Sequence, residues 1–304
     1  MNINEYRIEV DSLLNAQRVT GADVTEYAAH YTVAETPRLL LQKAETNLMR
    51  QFDGDYMNDP EEGRYLVDVM IRAARKCKHP HHKEAFVERL AQLRRSRLLY
   101  SAYNKCTFLS CWTATTIKPG EESTSDSLNH WRFYGADGKG SCLMIPLANL
   151  CSVFPNQLYR VTYGTETRGG GAAAADRSVH KLEQALVKRL NAIRKSYRNA
   201  MADLEEVIQA THPLLFLFKS SEYSSEQEIR SIVHKDNYAL ASKVVFDDRD
   251  PKRAYVASKP GLISNKSIIY FGPKADHKFA IEAMGLADTL DIGVRVFVST
   301  KPYR

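Results

Sequence analysis

The run CTFLSCWTAT, Cys106–Thr115, constrains the fold more than any other stretch of this chain. It carries no charge across ten residues and is rich in β-branched and aromatic side chains, which predicts a strand buried in the interior. Further strand-like runs are GKGSCLMIPL, QLYRVTYG, KSIIYFGP and the closing VRVFVST, and a shorter strand is expected earlier, through Tyr27–Thr32. Helical stretches of very unequal length separate them. That order is α+β, strands interrupted by helical insertions, and not a regular βαβ alternation.

The helices announce themselves by caps and periodicity. Thr36 reads as an N-cap with Pro37 at the first helical position. Asp59 and Pro60 predict a second start, where Glu61 and Glu62 complement the helix dipole and Leu66, Val69, Met70 and Ala73 recur at helical spacing. A basic helix is expected from about Lys83 to Tyr103, a short one containing Leu128, Trp131 and Tyr134, a long one from about Val179 to Gln209, and a last one over Asp276–Leu290. The tract TRGGGAAAADRS has strands on both sides, so it reads as a surface loop inside one domain. The expectation is a single α+β domain over residues 1–304, with an N-terminal extension at 1–24 and helical insertions at 60–105 and 176–212. No internal repeat is visible.

Composition enters mainly by exclusion. Hydrophobic residues at 44% and charged residues at 26% exclude wholesale disorder in a chain of 304 residues, which is long enough to bury a substantial core. A net charge of +6 permits an acidic partner without demanding one. Five cysteines with no CxxC spacing read as reduced thiols. The start MNINEYRIEVDSLLNAQ has no apolar signal-peptide core, and no run approaches membrane-spanning length. The expected location is cytoplasmic, or a host or target cell reached without a cleavable signal, with no membrane partner.

The stretch most suggestive of chemistry is SSEYSSEQEIRSIV, Ser220–Val233, where Glu226 and Glu228 flank a glutamine at the mouth of a strand. Such a pair is an ordinary solvated strand entry. It is also what a site needs to stabilise a developing cation or polarise a hydroxyl. His30 and Thr32 stand two apart on the first strand, so they share a face and can bond one ligand together, although a strand histidine is commonly structural. Other candidates read as ordinary surface. The segment CKHPHHK has no recognised zinc spacing, STS at Ser123–Ser125 falls in a polar loop, and GxSxG, Walker and GxGxxG motifs are absent. Lys188, Arg189, Arg194, Lys195 and Arg198 form the polar side of an amphipathic helix and, with Arg94, Arg95 and Arg97, offer a nucleic-acid-facing alternative.

Taken in order, HYT (His30–Thr32), NDPEE (Asn58–Glu62), FLSCWT with DSLNHWRFYGADGKGSCLMI, FKSSEYSSEQEIR (Phe218–Arg230) and the closing IIYFGPKAD and VRVFVSTKPYR resemble the bacterial domain-of-unknown-function family numbered 2971. The resemblance runs from about residue 27 to the end. Its motif layout looks like a divergent ADP-ribosyltransferase, which implies a split β-sandwich core with long helical insertions and NAD as the substrate. It implies that His30, Tyr31 and Thr32 lie at the adenosine-side ribose and that an aromatic stacks on the nicotinamide. Trp131 or Tyr134 would supply that ring, with Tyr31 and Tyr223 as alternatives. Glu228 would be catalytic and Glu226 would orient or activate the acceptor nucleophile. Arg230 would pair either with a phosphate of NAD or with Glu228. The expected acceptor is a protein or a nucleic acid, and a host activator fits as well, in a toxin, an effector or a phage-defence protein. The alternatives are an NAD glycohydrolase using the same site, and a non-catalytic nucleic-acid- or partner-binding protein using the basic helices.

Overall fold

The computed structural model describes residues 1–21, 26–42, 48–57, 61, 63–96, 105–116, 127–164, 174–193, 197–235 and 244–301. Within them the fold is α+β. In chain order come α1 (Ile3–Ala16), β1 (Glu26–Thr32), α2 (Thr36–Gln42), β2 (Arg50–Asp53), α3 (Arg64–Arg75), α4 (Pro80–Arg95), β3 (Cys106–Thr116) and α5 (Leu128–Phe133). Next are β4 (Ser141–Pro146), α6 (Leu147–Val153), β5 (Leu158–Arg160), β6 (Thr162–Gly164), α7 (Ala174–Asn191), α8 (Tyr197–Thr211) and β7 (Phe218–Ser220). The chain continues through β8 (Glu228–Lys235), β9 (Val244–Phe246), β10 (Ala254–Ala257), β11 (Ile268–Phe271), α9 (His277–Thr289) and β12 (Arg295–Val298).

The uncharged run does become the central strand, β3, and the sheet forks from it. Along one edge β3 pairs with β8 from Cys106 to Thr113. At Thr113 it pairs at the same time with Ala29 of β1, and at Phe108 and Leu109 with Asp53 and Phe52 of β2. Since a strand has two edges, β1 and β2 must share the edge opposite β8. One arm continues β1–β4–β11–β12 and the other β2–β10–β9, antiparallel except for the parallel β11–β12 pair. Between the arms, Ser110–Trp112 has no strand partner on that edge among the described residues.

Period-two alternation sends β3 and β8 side chains into different environments. Leu109 and Ile232, opposite each other, join a large cluster with α1, α3, α4, α7 and α8. Trp112 and Ile229 face the other way, into a cluster with α6 and α9. Residues 1–24, expected as an extension, contribute α1 to the first cluster through Tyr6, Val10 and Leu13. Its start is fixed by a capping box between Asn2 and Glu5.

Three helix expectations are corrected. Helix α3 opens at Arg64 behind Gly63, whose φ of 72° suits glycine, and not at Asp59, which with Pro60 lies outside the described residues. Helix α4 ends at Arg95 with Ser96 as its cap, and Tyr103, the expected end, lies outside the described residues. The long helix expected over 179–209 is two helices, because Arg189 Nη2 lies 3.5 Å from Asp203 Oδ2. Residues 14 positions apart on one straight helix are about 21 Å apart, so the chain turns back on itself. That turn commits Arg189, and Arg94 pairs with Asp68 and Glu61, so two cations of the expected basic stripe are neutralised within the protein. The STS segment, Arg97, Arg194 and Lys195 lie outside the described residues, as does most of the Gly/Ala tract.

Candidate active site

The fork of the sheet opens into a cavity of about 330 Å³, lined by both arms, by the stretch of β3 between them and by the turn before β8. His30, Tyr31, Tyr134, Glu226 and Glu228 all border it. Segments far apart in sequence therefore converge on one cavity.

His30 occupies the gap between the arms. Its Nδ1 lies 2.9 Å from the carbonyl oxygen of Cys111, which pairs with Arg230 of β8 on the other edge of β3. A carbonyl only accepts, so Nδ1 carries the proton and Nε2 is the ring's acceptor. Burial lowers the imidazole pKa, opposed in part by that carbonyl, so His30 is neutral at neutral pH. Its ring packs 5.0 Å from that of Trp112.

Glu226 and Glu228 do not share a strand face. Glu228 begins β8, but Glu226 ends a 3₁₀ turn over Ser221–Glu226, and Gln227 between them is left-handed at φ 44°. The kink turns both carboxylates toward one cation. Lys219 Nζ lies 2.9 Å from Glu226 Oε2 and 3.2 Å from Glu228 Oε2. The other Glu226 oxygen accepts from the Tyr134 hydroxyl at 2.6 Å. Burial, and then that hydrogen bond to a carboxylate, push the Tyr134 phenol pKa up.

Glu228 is 8% exposed and receives two hydrogen bonds from Arg230, from Nη2 at 2.7 Å and from Nε at 3.2 Å. Its backbone N–H donates to the Tyr163 hydroxyl at 2.8 Å, which pins the strand start. Burial alone would raise the carboxyl pKa. Arg230 and Lys219 outweigh it and bring the value down to about 2, so Glu228 is ionised throughout the physiological range.

Three residues expected at the ligand are elsewhere. Arg230 is fully buried at 0% exposure, and its remaining nitrogen, Nη1, donates to the Phe216 carbonyl at 2.8 Å, so of the two readings open for it the pairing with Glu228 is the one observed. Trp131 is core, also at 0%, packed edge-on against Tyr31, while Tyr134 on the next turn is half-exposed and borders the cavity. Thr32 bonds Thr36 through their hydroxyls at 3.0 Å and lies outside the cavity lining. The Tyr31 ring lies against Trp131 and stacks on His130.

Other lining residues went unnoticed in the sequence. Lys219 is the most consequential, and Tyr223, which the sequence offers as an alternative stacking ring, lies beneath it with its ring centroid 4.7 Å from Nζ. On the opposite arm, Arg253 rests over Phe52 at 4.1 Å and is tied to Asp247. The signal for Lys219 was a lone charge ending the apolar run LLFLFK, just ahead of the glutamates.

Among the described residues no group of three or more His, Cys, Asp or Glu is arranged to hold a metal ion, and no helix is long and apolar enough to cross a membrane. Compared with known proteins, the chain matches no family model, no curated protein and no solved structure.

Proposed function

We propose that this chain is an NAD-dependent ADP-ribosyltransferase with a split β-sandwich core, acting on a protein or nucleic-acid acceptor. The observation that carries the proposal is the meeting of His30 with Glu226 and Glu228 at one cavity, in a sheet whose arms diverge there. His30, neutral and fixed by the Cys111 carbonyl, would accept from a ribose hydroxyl. Half-exposed Tyr134 and partly buried Tyr223 are the lining rings against which a nicotinamide would lie.

The chemistry follows from the charges. As the bond from the nicotinamide nitrogen to ribose C1′ breaks, its electron pair leaves with nicotinamide and C1′ becomes oxocarbenium-like. An ionised Glu228 beside that ribose stabilises the developing cation, as carboxylates do in glycoside hydrolysis. The acceptor then bonds to C1′ and its proton passes to Glu226, the more exposed of the two carboxylates, which is hydrogen-bonded to Tyr134.

The test is release of nicotinamide from NAD, with transfer of labelled ADP-ribose to cell-extract acceptors followed in parallel. Glu228→Gln is expected to lower release about 100-fold or more. It will also cost stability, about 3 kcal/mol, because Arg230 is fully buried and loses its counter-charge. The assay is therefore run below that variant's own melting temperature, alongside Glu226→Gln, which leaves the Arg230 pair intact. Wild-type turnover by Glu228→Gln overturns the assignment, as does wild-type protein that neither binds nor cleaves NAD in the presence of extract. Release without labelling of any acceptor assigns water as the acceptor and makes the protein a glycohydrolase.

A further inference from the structure

Lys219 is an unusual neighbour for a carboxylate meant to stabilise a cation. Only 7% exposed, its ammonium lies within 3.2 Å of both glutamates and 4.7 Å from the Tyr223 ring centroid. The Tyr134 hydroxyl holds Glu226 from its other side. Two carboxylates and an aromatic face arranged about one point form a cation box, and all its members line the cavity. The cation inside it belongs to the chain itself.

We infer that the Lys219 ammonium stands in for a cationic ring of the ligand, and that the box is a binding site for a pyridinium or a similarly delocalised organic cation. That the ring is the nicotinamide of NAD rests on the function proposed above; the preference for a cation follows from the box alone. With Lys219 in place, two glutamates are balanced by Lys219 and Arg230, and the site is neutral. When the flexible lysine stem swings away, one negative charge is left over. That charge favours the pyridinium before cleavage and the oxocarbenium ion after it. A ligand must displace the tethered ammonium, so apparent affinity is reduced by the fraction of molecules in which the box stands open.

The test uses 1-methylnicotinamide, a pyridinium cation methylated on the ring nitrogen, and nicotinamide, its neutral counterpart, each titrated calorimetrically into wild-type, Lys219→Met and Lys219→Gln proteins. The glutamine variant keeps a polar group and guards against misfolding of the methionine one. Vacating the box is expected to tighten binding of the cation about tenfold, with little change for the neutral ring. Adding Tyr223→Leu to the lysine variant is expected to abolish the gain. Equal affinity of the cation for wild type and both lysine variants overturns the inference, and so does an equal gain for both rings. The result is separable from enzymatic activity: a gain for the cation with no cleavage of NAD upholds the box and removes the transferase, whereas cleavage of NAD without such a gain does the reverse.

Discussion

Arg230 and Glu228 lock each other inside strand β8, and a second buried titratable cluster sits further along the same strand. His234 Nδ1 and His212 Nε2 lie 3.1 and 3.3 Å from the Thr107 hydroxyl, with their rings 4.8 Å apart. Burial lowers both histidine pKa values, aided by nearby Lys105 and, for His212, by His234, to about 2 for His212 and about 4 for His234. A histidine held neutral in the fold contributes stability that is full above its unfolded pKa, about 6.5, and is lost as pH falls below it. Between pH 7 and pH 5 the loss is expected to be about 2 kcal/mol for each histidine, because both folded values lie below that window. Denaturant melts of wild type and of the His212→Gln, His234→Gln double variant check this: the variant's stability is expected to fall less steeply than that of wild type over that window, with His30 keeping its own share because burial lowers that imidazole too, and a wild-type slope retained in it refutes the attribution. Glu228, whose pKa is also lowered, acts only further down, losing its contribution as pH falls from about 4.3 towards 2. At this scale Glu226, Glu228, His30 and Tyr134 were legible because charges and rings stand out in β-rich runs. Lys219 was not, since its link to the glutamates depends on a 3₁₀ turn and a left-handed glutamine that no spacing rule encodes.

The short helix α5 shows how an element can be read correctly and its residues assigned to the wrong roles. Trp131 and Tyr134 are one turn apart, and helical spacing cannot say which faces the core. The contacts decide it: a Cβ on Gly135 would come 2.5 Å from Trp131 Cε3, and one on Gly272 would come 3.1 Å from the same atom, so two chain segments close over the indole. Trp131→Ala is expected to cost about 3–5 kcal/mol and to release Tyr134 from Glu226. Thermal melts compared with those of Tyr134→Phe check it, since the phenylalanine variant loses the hydrogen bond but keeps the packing. Equal melting temperatures for the two would show that the indole does not anchor the helix. The break between α7 and α8 was illegible for a different reason: NAIRKSY contains neither Gly nor Pro, and what bends the chain back is packing of both helices on α1, α3 and α4, reinforced by Arg189 and Asp203. Where a cap marks an end, as Asp276 does for α9 by accepting from the Lys278 N–H, the boundary was read to within a residue.

At the scale of the whole molecule, β3 and β8 each serve two cores, Leu109 and Ile232 on one face, Trp112 and Ile229 on the other. Neither core can lose its order without exposing the other's strands. Unfolding is therefore expected as one cooperative transition, with far-ultraviolet circular dichroism and tryptophan fluorescence, which reports Trp112 and Trp131, coinciding in midpoint. Separated midpoints would show that the helical cluster melts alone. The α+β order was legible from the alternation of strand and helix signals. The fork was not, because pairing two strands along one edge of β3 is a choice of register made by residues far apart in the chain. That fork also bears on how such a protein changes over generations. Its two arms line the cavity from opposite sides and, among the described residues, share no ladder with each other, so insertions or substitutions in β2–β10–β9 leave the register of β1–β4–β11–β12 undisturbed. One wall can drift toward new partners while the wall that carries His30 is inherited intact.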